Sequence, residues 1–188
     1  YMLAVIVGLI AHALLTYNGL LKLLTNMSIK KFYKGIAPAQ LLAFSTSSSG
    51  ATLPVTMERC EEELDVSEEV SSFVLPLGAT INMDGTALYQ AVASVFIAQT
   101  MGMSLGIEEQ LIIIITTVLA SIGTAAVPGA GIIMLVIILE SINVPSQGIA
   151  LILGVDRILD MIRTSINVTG DASVAVIISS LEDKFSKE

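Results

Sequence analysis

The sequence predicts an all-α integral membrane protein, with spanning helices, two opposed re-entrant helical hairpins and an unwound helix. Three observations carry that expectation. The 188 residues are 54% hydrophobic and 14% charged, whereas an ordinary soluble domain is about 25% charged; mean hydropathy is +0.83. Apolar runs of about 20 residues recur, each long enough to cross a bilayer core. Finally, Gly, Pro, Ser and Asp interrupt several of these runs at their centres, where a plain spanning helix would not carry them.

Taken in order, residues 1–24 form a continuous apolar run broken only by His12 and Asn18, and are expected to span as one helix. A lone histidine in such a run is expected to be packed or hydrogen-bonded. Lys22, Lys30, Lys31 and Lys34 follow, so the loop 22–34 is assigned to the cytoplasm by the positive-inside rule. Residues 35–65 make the first re-entrant hairpin: Ile36–Thr46 is too short to span and runs into the turn-forming stretch Ser47–Pro54. Non-helical backbone at membrane depth must be buried in protein or line a wet cavity; an ordinary interhelical loop is the alternative. Glu58–Glu69 reads as a solvated acidic loop.

Residues 70–100 form the next long segment, expected to unwind near Asp84-Gly85. Residues 107–142 form the second hairpin. Gln110–Leu139 contains no charge, and Ser121–Gly131 places three glycines and a proline at its centre. The external loops are Met101–Glu109 and Ser141–Gly148. Residues 149–181 form the last helix, amphipathic and spanning, with Lys184 and Lys187 marking a cytoplasmic end. The chain starts inside an apolar run without a signal-peptide n-region, and is expected to be part of a longer transporter whose N-terminal scaffold helices are absent. Two broken hairpins facing each other suggest an inverted-repeat transporter with its site near the midplane.

The last helix is the energetic anomaly. Asp156, Asp160, Arg163, Asn167 and Asp171 recur at intervals of 4, 3, 4 and 4, which puts them within a sector of about 80° along roughly 22 Å. Ionisable groups at a membrane centre cost about 2.5–3.5 kcal/mol each on insertion scales, so the stripe needs partners or ligands. A soluble helix with a charged outer face is the competing explanation, and the surrounding hydropathy disfavours it.

Three polar clusters therefore converge: Ser47–Thr52, Asn82–Thr86 and the stripe. Broken helices offer free N–H groups to anions and free carbonyls to cations. Asn82, Asp84, Asn167 and Asp171 are an all-oxygen set suited to a desolvated Na⁺. Arg163 can hold a carboxylate through two parallel hydrogen bonds, and Asp160 can take an ammonium; together they match an acidic amino acid. An internal Asp160–Arg163 ion pair is the structural alternative. Enzyme chemistry is not expected, because the single His12 leaves no Ser/His/Asp set and no nucleotide-binding loop is present. The single Cys60 excludes a disulfide framework and a cysteine metal cluster. Much of the net charge of −8 sits in the acidic run, and no nucleic-acid partner is implied. The glycosylation triplets at Asn26 and Asn167 are expected to be chance matches.

The stretches SSSGATLPVT, LPLGATINMDGTALYQ, ASIGTAAVPGAG and LDMIRTSINVTGD resemble, in order, the motifs of the dicarboxylate/amino acid:cation symporter family. The resemblance covers essentially the whole chain but only the family's C-terminal half. It implies an elevator mechanism, in which a transport domain slides through a homotrimeric scaffold in the cell membrane with the second hairpin as external gate. It implies Na⁺ as coupling ion, no organic cofactor, and L-aspartate or L-glutamate as substrate. Substrate contacts would fall on Ser48 and Ser49, Thr86, the Val127–Gly131 backbone, Asp160, Arg163, Thr164 and Asn167. Sodium sites would fall on Gly78, Asn82, Asn167 and Asp171; on Thr80 with Ser121, Ile122 and Thr124; and on Asp84 with Asn82, completed by a helix outside this chain.

Three features depart from or refine the pattern. Archaeal members carry an arginine at the position of Ser47 and human members one at Met161; here neither is basic, and Arg157 is the expected substitute beside Asp160. Gln90 stands where human members have a glutamate linked to proton co-transport, which argues against proton coupling by that route. The Asp/Asn set that proton-coupled C4-dicarboxylate relatives lack is intact. Within this class, Arg163 disfavours a neutral amino acid carrier and Asp160 a C4-dicarboxylate carrier. An anion-conducting channel or an inactive half-transporter are the readings from other classes.

Overall fold

The computed structural model describes residues 1–185, and these contain helices and turns without a strand. The first span is one long helical rod in three pieces: α1 (Met2–His12), a π-helical turn over Ala13–Tyr17, and α2 (Asn18–Leu24). It is the only described helix that is long and apolar enough by itself to cross a membrane; the other strongly apolar helix, Ala130–Ser141, is shorter.

A second group of helices follows: α3 (Ile29–Thr46), α4 (Ser49–Glu63) and α5 (Glu68–Ile81). A serine opens each one. Ser28, Ser48 and Ser67 accept hydrogen bonds from the N–H groups of Lys31, Ala51 and Val70, satisfying donors that a helix start leaves free. Helix α6 (Asp84–Thr100), α7 (Ile107–Ile122), α8 (Ala130–Ser141), a 3₁₀ turn (Ser146–Leu151) and α9 (Leu153–Phe185) complete the chain.

Several boundaries differ from the sequence expectation. Glu58–Glu69 is not one loop: Glu58–Glu63 end α4, and Glu68 and Glu69 open α5. Glutamate is a good helix former, Arg59 and Glu63 pair at 2.9 Å across one turn, and acidic groups favour a helix N-terminus. The lysine-rich loop shrinks to residues 25–28, because Ser28 caps a helix that already contains Lys30, Lys31 and Lys34. The helix pair that occupies the stretch expected as the first hairpin, 35–65, begins at Ile29. Its turn is confined to Ser47 and Ser48, and Pro54 lies within α4. The break expected at Asp84-Gly85 lies at Asn82 and Met83 instead. Gly85 is tolerated in the first turn of α6 because its N–H finds a partner in Asn167 (2.8 Å). Lys184 donates to the Leu24 carbonyl at 3.1 Å, whereas Lys187 lies outside the described residues.

Two apolar clusters organise the molecule. Val5, Leu9, Tyr89, Ile97, Leu135, Ile138 and Leu159 belong to one, formed by α1, α6, α8 and the start of α9. Leu21, Phe32, Ile36, Leu64, Leu75, Val168 and Val176 belong to the other, formed by α2 to α5 and the far part of α9. Helix α9, roughly 50 Å long at 1.5 Å per residue, runs through both. Its polar stripe crosses the junction between them and is buried along its whole length.

Candidate functional site

At that junction two helix-to-helix connections meet. Ser47 adopts a left-handed conformation (φ 54°) that ends α3, and Ser48 turns the chain into α4. From the other side comes the non-helical segment 123–129, which ends at Gly129 (φ 77°). The Ser48 Oγ donates to the Ala126 carbonyl at 2.6 Å, and the Gly50 N–H approaches the same oxygen at 3.3 Å. The floor is α9. Between them lies a cavity of about 20 Å³, room for roughly one water.

Ser49, Thr86, Val127, Gly131, Asp160, Arg163, Thr164 and Asn167 all line this cavity, with Ser47 and Met83. Ser48 stands behind them as the link between the two turns. Eight residues from four separate stretches of sequence are therefore brought to one point.

Arg163 is its centre, and only 1% exposed. Its Nε donates to Asp160 Oδ1 at 3.0 Å and its Nη1 lies 3.4 Å from Asp156 Oδ1. The guanidinium stacks on Tyr89, with Cζ 4.0 Å from the ring centroid, an arrangement that favours arginine over lysine. Nη2 lies 3.0 Å from Asp160 Oδ1 but makes no aligned hydrogen bond. A Cβ on Gly131 would stand 3.0 Å from that nitrogen, so glycine leaves the guanidinium its space. The internal ion pair considered from the sequence is thus present, and it leaves one donor unspent.

Asp160 Oδ2 accepts from the Gly129 N–H at 3.0 Å, tying the non-helical connection 123–129 to α9. Asn167 is fixed at both ends: Oδ1 accepts from Gly85 N–H (2.8 Å) and Nδ2 donates to Thr86 Oγ1 (3.0 Å). Thr164 donates to the Asp160 carbonyl at 2.7 Å. Arg157, the expected substitute beside Asp160, is not placed against that carboxylate. It is exposed and forms no ion pair with Asp160: at about 100° per residue it lies on the side of Asp160 opposite Arg163, away from the buried stripe. Asp156, unexplained by sequence, is the second carboxylate on Arg163.

The cation candidates fall into three places. Asn82 Nδ2 donates to Asp171 Oδ1 at 3.0 Å, and a Cβ on Gly78 would meet that oxygen at 2.8 Å; Gly78, Asn82 and Asp171 are in direct contact, with Asn167 one turn away on α9. Thr80, Ser121 and Thr124 each bond a carbonyl of their own segment, at Leu77, Val118 and Ala120. Thr80 and the Ile122 side chain are exposed; the Thr124 N–H donates to the Ser121 carbonyl at 3.2 Å, while Thr80 bonds only within its own helix. Asp84 stands third, held by residues the sequence reading did not place in the site. His12 Nε2 lies 2.6 Å and the Tyr17 hydroxyl 2.5 Å from its Oδ2. The polar His12 in an apolar run was the one sequence signal available for this; Tyr17 gave none.

Large apolar side chains point outward, among them Leu15, Leu23, Phe73 and Ile107, each over 70% exposed, while Asp156, Asp160, Arg163 and Asp171 are buried. That arrangement suits a lipid surrounding and defines the class: a membrane protein. Comparison places it further. Residues 1–181 match the sodium:dicarboxylate symporter family, and the chain belongs to it. It is 46% identical over 178 residues to an "Excitatory amino acid transporter" of Caenorhabditis elegans, covering 95% of this chain and 35% of that protein. It is 45% identical over 184 residues to human "Excitatory amino acid transporter 3" (98% and 35%) and 44% over 181 residues to human "Excitatory amino acid transporter 2" (96% and 32%). The chain thus spans about one third of the length of these curated relatives.

Proposed function

We propose that this chain is the substrate- and cation-carrying part of a symporter that moves an acidic amino acid, L-aspartate or L-glutamate, into the cell on the Na⁺ gradient. The observation that carries the reading is the Arg163–Asp160 pair. One guanidinium nitrogen without an aligned partner lies at a small polar cavity, beside Asp160, whose Oδ2 is held by a backbone N–H that can be exchanged. A substrate carboxylate would take Nη2 of Arg163, and its ammonium would replace Gly129 on Asp160. Thr86, Asn167 and the backbone at Ser49 and Val127–Gly131 complete its polar contacts.

The cavity of about 20 Å³ is too small for an amino acid, so admission requires the segment 123–129 to move away from Ser48 and Asp160. The helix pairs α3/α4 and α7/α8 act as re-entrant hairpins, and the second is the gate. Na⁺ is a transported substrate, held by Gly78, Asn82, Asn167 and Asp171, by Thr80 with the carbonyls at Ser121, Ile122 and Thr124, and by Asp84 with Asn82. A Na⁺ bound beside Asp171 and Asp84 would offset the buried negative charge that these carboxylates bring. Alternating access is of the elevator kind, in a homotrimer assembled through scaffold helices outside this chain, with residues 22–34 and the C-terminal end of α9 cytoplasmic.

Uptake of radiolabelled L-aspartate into proteoliposomes, under separately imposed Na⁺, H⁺ and K⁺ gradients, tests the proposal. Saturable uptake that requires inward Na⁺ supports it. Uptake of succinate or alanine in preference to aspartate, or a non-saturating conductance, overturns it.

A further inference from the structure

The π turn at Ala13–Tyr17 has a specific consequence. In a regular α-helix, residues five apart point about 140° away from each other. A turn closed from i to i+5 brings them nearly into line. His12 and Tyr17 are five apart, they bracket this turn, and both reach the same oxygen, Oδ2 of Asp84. Their rings meet edge to face with centroids 4.9 Å apart. Without the widened turn one of the two would face away from α6.

Each group is fixed in turn by something else. Thr16 Oγ1 lies 3.2 Å from His12 Nδ1; donating there, it leaves Nε2 as the N–H that serves the carboxylate. Tyr17 is 3% exposed and its hydroxyl also lies 3.3 Å from the Ile166 carbonyl. It reaches α9 only because Gly170 has no side chain: a Cβ there would stand 2.7 Å from the Tyr17 oxygen and 2.8 Å from Asn82 Nδ2. On the other side of the carboxylate, Oδ1 of Asp84 accepts only from its neighbour Gly85, at 2.9 Å. One oxygen is therefore clamped by two side chains from the first helix, and the other has no side-chain partner among the described residues.

We infer that His12 and Tyr17 are positioning residues for cation binding at Asp84, delivered together by the π turn and admitted by Gly170. The inference rests on the symport reading above and deepens it. It assigns the first span a part in the ion site, beyond covering the α6 face. Groups that orient a ligand from behind typically account for 10–100-fold in affinity.

The test titrates Na⁺ against binding of radiolabelled L-aspartate to the purified full chain in lipid nanodiscs. Tyr17→Phe keeps the ring and removes the hydroxyl. The expected result is a rise of about ten-fold in half-saturating Na⁺, with aspartate affinity at saturating Na⁺ within about two-fold of the unmutated protein. His12→Leu should raise half-saturating Na⁺ in the same way. His12→Gln, whose amide nitrogen can take the place of Nε2, should recover most of the loss. A merely structural role would instead lower the thermal midpoint measured without Na⁺ for His12→Gln and His12→Leu alike. Unchanged or tighter Na⁺ dependence in Tyr17→Phe, while the unmutated protein responds normally, overturns the positioning role alone. Absence of any Na⁺-dependent aspartate binding in the unmutated protein overturns the symport reading, and the positioning role with it.

Discussion

Ser48 and Ala126 are 78 residues apart, yet the Ser48 hydroxyl donates to the Ala126 carbonyl at 2.6 Å. The same hydroxyl oxygen accepts from Ala51 N–H as the cap of α4. One side chain thus starts a helix and closes the cavity over Arg163. Its removal should be felt in both roles. Ser48→Ala is expected to cost about 1 kcal/mol as a lost cap, a fall of roughly 2–4 °C in thermal midpoint for a chain of this size, read by thermal unfolding in detergent. Because the tip contact is lost as well, L-aspartate should dissociate faster, which a filter-binding chase would show. A slower or unaltered off-rate contradicts the closing role.

Arg163 neutralises two buried carboxylates, Asp156 and Asp160. Removing one partner of a buried pair costs about 3–5 kcal/mol, since the remaining charge stays uncompensated. Arg163→Ala should lower thermal stability sharply and abolish aspartate binding. Arg163→Lys should restore part of the stability but little binding, because an ammonium has neither the planar fork nor the stacking on Tyr89. Near-normal aspartate affinity in Arg163→Lys would refute the two-pronged contact.

Gly131 is defined by the space it leaves. A methyl there stands 3.0 Å from Arg163 Nη2 and 3.3 Å from Thr86 Cγ2. Gly131→Ala should therefore weaken aspartate binding by about ten-fold or more, in line with an overpacking cost of roughly 1–3 kcal/mol. Equilibrium binding at saturating Na⁺ is the measurement.

Arg157 lies on the exposed side of α9. Arg157→Ala should leave aspartate affinity and Na⁺ dependence unchanged, as surface substitutions usually stay within about 0.5 kcal/mol. A loss of affinity beyond about three-fold would return Arg157 to the site.

Asp171 touches Asn82 and crowds Gly78. A cation held there stabilises the folded chain by mass action, about 2.7 kcal/mol at one hundred times its dissociation constant. Raising Na⁺ against a choline background should thus raise the thermal midpoint of the unmutated protein, and Asp171→Asn should flatten that response. An equal Na⁺-induced shift in the variant speaks against a cation ligand at this position.

The sequence by itself determined the class and the order of helices, and it named most of the residues that line the cavity over Arg163. Hydropathy and the interruptions at 47–54, 82–85 and 121–131 are local signals, and the 4-3-4-4 spacing of the stripe is a property of one helix; each can be read without knowing what lies opposite. Boundaries were less legible. The acidic stretch 58–69 looked like a loop because composition records charge, whereas caps and one-turn ion pairs decide where helices begin and end. What only the tertiary structure decided are relations between segments far apart in the chain. Asp156 found its role through the reach of Arg163, and Arg157 lost the one expected of it through the direction it faces. Tyr17 reaches Asp84 through a π turn that carries no sequence signature, and through a gap that Gly170 leaves on a helix about 150 residues away. Such contacts depend on packing geometry to within about an ångström, and periodicity in a single stretch carries no information about it.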